Sequence, residues 1–148
     1  MASGVYGKTL EKLVKGTFPG AGLNGGGFGM LLLKTAPAAV ASDEFVSILG
    51  TKELTSVLCT NYVRKTGLTL AATLAAGIVG IALAADVTWT ALGGAANSTI
   101  LGAVLYYNTG SDATSPLVAW FDIEDYTTTG VDFTLKRETA GNITLATA

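Results

Sequence analysis

The sequence predicts a mainly β protein, an antiparallel, jelly-roll-like β-sandwich that follows an N-terminal amphipathic helix or arm. Three observations lead to this prediction. The 148 residues are the size of a single domain. After Asp86, apolar and polar residues alternate in short segments, and Gly, Asn, Ser and Asp residues separate those segments. Such regularly spaced strands are typical of antiparallel sandwiches and barrels, so we expect about seven to nine strands.

The composition excludes several classes of function. Hydrophobic residues make up 49% of the chain and charged residues only 14%, compared with about 25% charged in ordinary soluble domains. The absence of histidine and the single cysteine, Cys59, exclude Ser-His-Asp and Cys-His catalysis, histidine-ligated metals, zinc clusters and an intramolecular disulfide. The net charge of -2 argues against a nucleic-acid partner. We therefore expect no enzyme, cofactor or metal, and a structural protein or a small membrane protein remains.

An amphipathic helix is predicted over residues 5–15, because apolar side chains recur there at helical spacing and charged side chains take the remaining positions. Ser3 is the candidate N-cap, and Gly16 with Pro19 ends the helix. A helix this short is unstable alone in water, so it must dock on its own sandwich, on a neighbouring copy or on a partner protein. The candidate interface residues of this arm are Lys8, Leu10, Lys12, Leu13 and Lys15.

The glycine-rich residues 20–29 are predicted to form a flexible tether without regular structure. A phosphate-binding loop would need a strand before it and a helix after it, which is the reverse of the order here. The domain division that follows is a helix or arm with its tether over residues 1–27 and a β-sandwich over residues 28–148.

Three segments follow the tether. Residues 28–35 contain a continuous apolar run of strand length, and residues 36–49 include the start of a short helical turn. Residues 54–64 are predicted to form a strand because they are rich in Thr, Val and Tyr. Cys59 lies in that strand, and we expect it to be a small buried hydrophobic residue.

Residues 66–85 have two interpretations. They contain no charge and are long enough for a transmembrane helix. However, seven of them are alanine, and Ala, Thr and Gly contribute little to membrane insertion. The alternating leucines and threonines favour two strands with a turn near residues 76 and 77, so no membrane contact is expected. Ile78 and Ile81 of this hairpin are candidate subunit-interface residues.

The second half of the chain contains the most regular strand signals. In each segment apolar and polar residues alternate, or the segment ends in residues typical of turns. Pro116 suits the first position of a strand. The predicted strands are residues 86–91, 98–108, 116–123, 131–137 and 142–147.

An acidic cluster is formed by Asp122, Glu124 and Asp125. Paired carboxylates beside aromatic residues can mark a glycosidase or a calcium site. Calcium loops usually have denser Asp and Asn spacing, so we interpret the cluster as a strand end that enters a solvated turn.

The aromatic residues of the second half are suited in principle to stacking on sugars or bases. In a small sandwich such side chains more often lie in the core or at a subunit interface. We predict that role for Trp89, Tyr106, Tyr107, Trp120 and Phe121.

Charge is distributed unevenly along the chain. Residues 1–66 carry a net charge of +3, and residues 67–135 carry six acidic residues and no basic one. Opposite charges on two regions suit packing between copies. The simpler interpretation is a solvated acidic face.

Five segments form a characteristic series of strands: ADVTW, NSTILGAVLYYNTG, SPLVAWFDI, VDFTL and GNITLA. In order and spacing they resemble a Trp-bearing strand, an Ala-Val-x-Tyr strand, a Pro-Leu strand ending in Asp, and a Phe-Thr-Leu strand before the C-terminus. This series is similar to that of small virion proteins of tailed bacteriophages. The resemblance covers residues 85–146 and is loose over the first half, and residues 72–85 are less polar than the family pattern.

The resemblance implies a β-sandwich that binds the outside of a capsid as a decoration or cement protein and stabilises the head. The implied partner is the major capsid protein. A homo-oligomer is also implied, with a trimer as the first expectation because such proteins often occupy three-fold positions. A structural role in the phage tail is the alternative within the same family.

The expected location is the exterior of the virion, after assembly in the host cytoplasm. Lys8, Glu11 and Lys12 interrupt the region in which a secretory signal would need its apolar segment. Two other classes stay open. A small membrane protein depends on residues 66–85 alone, and a carbohydrate-binding module depends on exposed aromatic residues.

Overall fold

Nine strands and two short helices form the regular structure of the residues that the computed structural model describes, which are 4–20, 22–36, 41–75, 78–137 and 143–146. The side chains of residues 73–75, 78–79 and 143–146 lie outside this description. The predicted mainly β class is confirmed. The elements are β1 (Gly4–Val5), α1 (Gly7–Val14), β2 (Gly25–Leu33), a 3₁₀-helix (Val46–Lys52), β3 (Lys65–Ala75), β4 (Ile78–Leu83), β5 (Val87–Leu92), β6 (Thr99–Tyr107), β7 (Leu117–Thr127), β8 (Val131–Leu135) and β9 (Ile143–Ala146).

Seven strands form one sheet in the order β1-β7-β6-β2-β3-β4-β9, and β5 and β8 form a separate ribbon. Every strand pair among the described residues is antiparallel, as predicted. β2 lies at the centre of the large sheet between β6 and β3, although it is the second strand of the chain.

The central strands are buried on both faces. Along β2, every side chain from Phe28 to Leu33 is buried. Because strand side chains alternate, Phe28 and Met30 pack in one cluster while Leu31 packs in another on the opposite face. A strand covered on both faces needs a continuous apolar run, which is the pattern that predicted this strand.

The β5–β8 ribbon covers the first face of the large sheet. Trp89 of β5 is only 1% exposed and lies opposite Phe133 of β8, with 5.8 Å between the ring centroids. Its indole Nε1 donates a hydrogen bond of 2.9 Å to the carbonyl oxygen of Val63. The ribbon, the segment before β3 and the sheet therefore share one apolar cluster.

The N-terminal segment and the 3₁₀-helix cover the second face. Tyr6, Val46 and Leu49 pack there against Val104 and Trp120 of the sheet. Because both faces are covered by the chain itself, much of the apolar material of the sequence is buried inside a single chain.

The hairpin interpretation of residues 66–85 is confirmed. β3 and β4 pair antiparallel, with Leu70 opposite Leu83 and Ala72 opposite Ile81. The proposed turn at residues 76 and 77 lies outside the described residues. The interpretation of residues 66–85 as a membrane-spanning helix is wrong, and no helix in the described ranges is long and apolar enough to cross a membrane.

The prediction of a flexible tether over residues 20–29 is wrong for its second half, since β2 begins at Gly25 and pairs with β3 and β6. The glycines make room for aromatic side chains of β6. A Cβ atom on Gly29 would lie 2.4 Å from Cζ of Tyr106, its partner across the strands. The glycines therefore leave space that the sheet packing requires, and they do not mark a linker.

Replacing Gly29 by alanine is expected to lower the free energy of unfolding by about 1–3 kcal/mol, because the new methyl group overlaps the Tyr106 ring. Gly26→Ala is the matched control in the same strand, since its Cβ would meet nothing closer than Thr69 Oγ1 at 3.8 Å. We expect the control to change stability by no more than about 0.5 kcal/mol. Equal urea midpoints for the two variants would contradict this account of the glycine run.

The predicted strand over residues 54–64 is also wrong. This segment consists of turns, and its backbone bonds go to several neighbours instead of one partner strand. The Leu54 N–H donates to Leu32, the Thr60 N–H donates to Ala96, and the Thr60 carbonyl accepts from Gly93. Cys59 is buried as predicted, but in this loop rather than in a strand. The short helical turn predicted within residues 36–49 corresponds to the 3₁₀-helix that begins at Val46.

Candidate interaction site

Helix α1 lies against the body of its own chain, which is one of the three docking possibilities that the sequence left open. The Tyr6 N–H donates to the Val118 carbonyl at 3.0 Å, and Thr9 Oγ1 donates to the Leu117 carbonyl. Tyr6 is the N-cap residue and provides no side-chain cap, while the predicted cap Ser3 lies outside the described residues.

The inward face of α1 differs from the apolar face predicted from the sequence. Thr9 is buried and Leu13 packs against the core, whereas Leu10 is 38% exposed and Val14 is 89% exposed. A polar residue takes an inward position because its hydroxyl hydrogen-bonds to β7. Leu10 and Val14 are consequently left on the outer surface, where a partner can contact them.

The arm lysines are engaged with carboxylates of their own chain. Lys8 and Lys15 bind the two oxygens of Glu11 at 2.9 and 2.6 Å. Hydrogen bonds from Lys15 and then from Lys8 lower the pKa of Glu11 to about 2. Lys12 pairs with Glu44 at 2.8 Å and lies 4.7 Å from the centre of the Phe45 ring. These pairs reduce the positive charge that the arm can offer to an acidic acceptor.

Of the two candidate interface residues in the hairpin, Ile78 and Ile81, the structure describes the side chain of Ile81. Ile81 is 2% exposed and belongs to the core of its own chain, so a charge at this position would act on the fold of the single chain. The side chain of Ile78 lies outside the description. The prediction of a subunit contact at this hairpin stays a prediction.

Exposed aliphatic residues also occur at places that the sequence analysis did not single out. Val57 is 84% exposed in the loop before β3, and Leu58 and Val63 of the same loop are exposed. Ile48 of the 3₁₀-helix and Val131 of β8 are exposed as well. No periodic pattern marks these residues, because the loop has no regular structure.

Arg64 is the centre of a polar network that the sequence analysis missed. Its guanidinium binds Glu53 through Nε at 2.7 Å and Nη2 at 2.5 Å, and it binds Asp112 through Nη1 at 2.6 Å. Tyr62 Oη donates to Glu53 at 2.9 Å and accepts from the Leu32 N–H at 3.1 Å. We call Arg64, Glu53, Asp112 and Tyr62 the arginine clamp.

The electrostatics of the arginine clamp indicate a structural role. The bonds to Glu53 and then to Asp112 raise the pKa of Arg64 above its usual range, and the bond from Arg64 lowers the pKa of Asp112. Burial, followed by the charge of Glu53, raises the pKa of Tyr62. These shifts move the groups away from titration near neutral pH, which suits a fixed ion pair better than acid–base chemistry.

Tyr6 and Asp43 carry two further buried polar atoms. Tyr6 Oη and Asp43 Oδ2 are both buried and have no hydrogen-bond partner among the described residues. Burial, followed by the charge of Asp43, raises the pKa of Tyr6 above its usual range. The tyrosine therefore stays protonated and acts as a packing residue of the second face.

The aromatic residues considered for ligand stacking are mostly in the core. Trp89, Tyr106, Trp120 and Phe121 are buried, which confirms the core interpretation for these four. Tyr107 is half-buried, and its ring makes edge contacts with Phe18 and Phe28 at 5.8 and 5.4 Å.

The acidic cluster is exposed along the second half of β7. Asp122 and Glu124 stand two residues apart on the strand, and Asp125 follows directly. Among the described residues no group of three or more His, Cys, Asp or Glu side chains is arranged to hold a metal ion. The interpretation of this cluster as a strand end that enters a turn is wrong, because β7 continues to Thr127. The exposure of the three residues agrees with a solvated acidic face.

The fold and these side chains define a class of protein only: a mainly β, antiparallel domain with exposed aliphatic residues and charges paired within the chain. Comparison with protein-family models, with curated proteins and with solved structures found no match. The function is therefore inferred from the surface and from the sequence resemblance.

Proposed function

We propose that the chain is a structural virion protein, a capsid decoration or cement protein that binds the major capsid protein on the outside of the head. The observation that carries the proposal is the surface, which presents large aliphatic side chains while many charges are neutralised within the chain. The exposed large hydrophobic residues of the described part are Leu10, Val14, Ile48, Val57, Leu58, Val63 and Val131.

The pairing of charges supports a protein partner. Lysines and arginines of α1, of the loop before β3 and of the β8 end are bound to carboxylates of the same chain. A surface that combines exposed aliphatic residues with neutralised charges loses little solvation when another protein covers it. Such a surface suits a permanent contact in an assembly better than binding of a charged small molecule.

The location of the resembling segments also supports the proposal. The five segments correspond in order to β5, β6, β7, β8 and β9. They therefore supply the ribbon and three strands of the large sheet. The proposal includes the finer architecture that the resemblance implies, a jelly-roll-like sandwich, and a homo-oligomer on the virion exterior.

The proposed mechanism is burial of apolar surface between neighbouring capsid subunits, which would crosslink them against the internal pressure of packaged DNA. Stable interfaces usually bury more than about 1,000 Å². The outer face of α1 is the proposed capsid contact, because Leu10 and Val14 are exposed there beside half-exposed lysines.

The test uses empty heads of the parent phage prepared without this protein, to which purified protein is added. Leu10→Asp together with Val14→Asp is expected to weaken co-sedimentation with the heads at least tenfold, about 1.4 kcal/mol. Deletion of residues 1–20 is unsuitable, since it removes the buried Tyr6 and Phe18. Val57→Asp is the control, because Val57 is about as exposed as Val14 but lies in the loop before β3.

The outcomes separate the parts of the proposal. Wild-type protein should bind saturably and raise the temperature at which filled heads release DNA. Loss of binding in Val57→Asp alone would move the contact from α1 to the loop. Binding to tails instead of heads would make the protein a tail component, and no binding to either would overturn the virion role.

A further inference from the structure

The two edges of the seven-stranded sheet differ in charge. At one edge, the described residues of β1 pair with Ala119 and Trp120 of β7, and β7 continues to Thr127. This continuation carries the exposed residues Asp122, Glu124 and Asp125. At the other edge, β9 carries no charged residue, and neither do residues 66–85 of the adjoining hairpin. Charges on an edge strand oppose pairing with another strand, so only the acidic edge is protected in this way.

The uncharged edge also extends past the end of β2. The register between β2 and β3 ends at Gly25 opposite Leu70, whereas the β3–β4 register continues to Ala75 opposite Ile78. β9 pairs with this outer part of β4, from Ile78 to Ile81. Residues 71–75, 78–81 and 143–146 thus form a three-stranded extension of the sheet without β2 beside it, which we call the tongue.

The outer side of β9 has no strand partner among the described residues. A strand at such an edge has backbone N–H and C=O groups that can pair with an added strand. Along the tongue, the sequence provides neither a proline nor a charge to prevent this. Ala71 and Ala72 of the tongue are exposed, whereas Ile81 opposite Ala72 packs in the core of its own chain.

We infer that the β9 edges of two copies of this chain pair antiparallel about a two-fold axis and join the two large sheets into one. The occupant of the edge is a second copy because the contact would place identical uncharged strands opposite each other, without electrostatic cost. The same operation at the acidic edge would place carboxylates opposite carboxylates. The charge distribution therefore selects β9 over β7 as the self-pairing edge.

This inference rests on the homo-oligomer of the proposed function and specifies its contact. A two-fold contact alone gives a dimer, whereas the trimer expected from the resemblance would require a different or additional contact. The strand pairing is short, so we expect the dimer to dissociate on dilution.

The first experiment compares two threonine-to-lysine substitutions by sedimentation velocity over a concentration series. Thr144→Lys places a charge in β9, and Thr127→Lys places the same charge in the exposed end of β7. We expect the wild type and Thr127→Lys to reach twice the chain mass and Thr144→Lys to stay at the chain mass. Circular dichroism spectra and urea midpoints of the three proteins should agree, which shows that the fold is retained.

A second experiment covers the possibility that Thr144→Lys disturbs folding. Single cysteines are introduced at residues 143 to 146, and chains are oxidised singly and in mixed pairs. Opposed residues of antiparallel strands are close enough for a disulfide, so at least one combination should give a covalent dimer. Cys59 is buried and does not compete. A cysteine at Thr127 is the control and should not crosslink.

Three results would overturn the inference: a wild-type monomer at every concentration, an unchanged dimer in folded Thr144→Lys, or a dimer without crosslinks through β9. Head binding by a monomeric chain would overturn the self-pairing and leave the proposed function intact. A β9 dimer that binds no phage particle would overturn the proposed function alone.

Discussion

Replacing Trp89 by alanine is expected to lower the free energy of unfolding by about 3–5 kcal/mol, the largest effect that we expect from a single substitution. The side chain is 1% exposed and lies between the ribbon, the large sheet and the loop before β3. Its removal leaves a cavity beside Phe133 and deprives the Val63 carbonyl of its donor. The cost therefore combines lost apolar burial with a lost hydrogen bond.

Urea unfolding followed by circular dichroism measures this effect. Trp89→Phe is the control, since it retains an aromatic ring against Phe133 but has no N–H for Val63. We expect the control to lose about 1–2 kcal/mol. If alanine cost no more than phenylalanine, the ribbon would not be anchored by this side chain.

The strands of the second half could be predicted because each has a local signal. β5 and β8 alternate apolar and polar residues, since one face of the ribbon packs inward. Thr and Leu at alternate positions also distinguished the β3–β4 hairpin from a membrane helix. These signals arise from residues that are neighbours in the sequence, so they can be recognised without the tertiary structure.

The wrong predictions share a different cause, because the deciding contacts are distant in the sequence. The glycine run belongs to β2 since Tyr106, far along the chain, occupies the space above Gly29. The segment over residues 54–64 has the composition of a strand, but Leu32 and Ala96 take its backbone bonds one at a time. The amino-acid composition of these two segments does not reveal either set of contacts.

The outward face of α1 and the arginine clamp also depend on contacts between residues that are distant in the sequence, so neither could be predicted. Helical periodicity places Leu10 and Leu13 on one side, yet a hydrogen bond to β7 turns Thr9 inward. Arg64 and Asp112 stand 48 residues apart and meet only after the sheet has formed. No motif links them, so the clamp could not be predicted from the sequence.

Replacing Arg64 by alanine is expected to lower the free energy of unfolding by about 2–3 kcal/mol, the second-largest effect. The arginine joins the loop before β3 to Glu53 and to Asp112 of the loop between β6 and β7. Glu53 is mostly buried, and among the described residues the Tyr62 hydroxyl is the one side-chain donor that its carboxylate would keep after the substitution. A carboxylate left with too few donors carries a desolvation cost.

Two controls test whether the geometry or only the charge of Arg64 matters. Arg64→Lys keeps the charge but lacks the planar fork that binds Glu53 through two nitrogens and still reaches Asp112, so we expect an intermediate loss. Lys15→Ala removes an exposed pair with Glu11 and should cost less than about 1 kcal/mol. Equal stability of Arg64→Ala and Lys15→Ala would contradict a structural clamp.

The same network makes a prediction about pH. The bond from Arg64 lowers the pKa of Asp112 in the folded chain, so this carboxylate stabilises the fold above its unfolded pKa of about 3.9. That contribution should disappear as the pH falls below about 4 and the carboxyl group takes up a proton. Because Asp112 is half-exposed, we expect at most about 1 kcal/mol.

Asp112→Asn isolates this effect from the other acidic groups, including Glu11 and Asp86, whose pKa values are also lowered. Unfolding free energies of the variant and the wild type should differ at pH 7 and converge between about pH 4 and pH 2. A constant difference across this range would mean that Asp112 acts through its shape and hydrogen bonds alone. In that case the stabilisation by the arginine clamp would come from its pairing with Glu53.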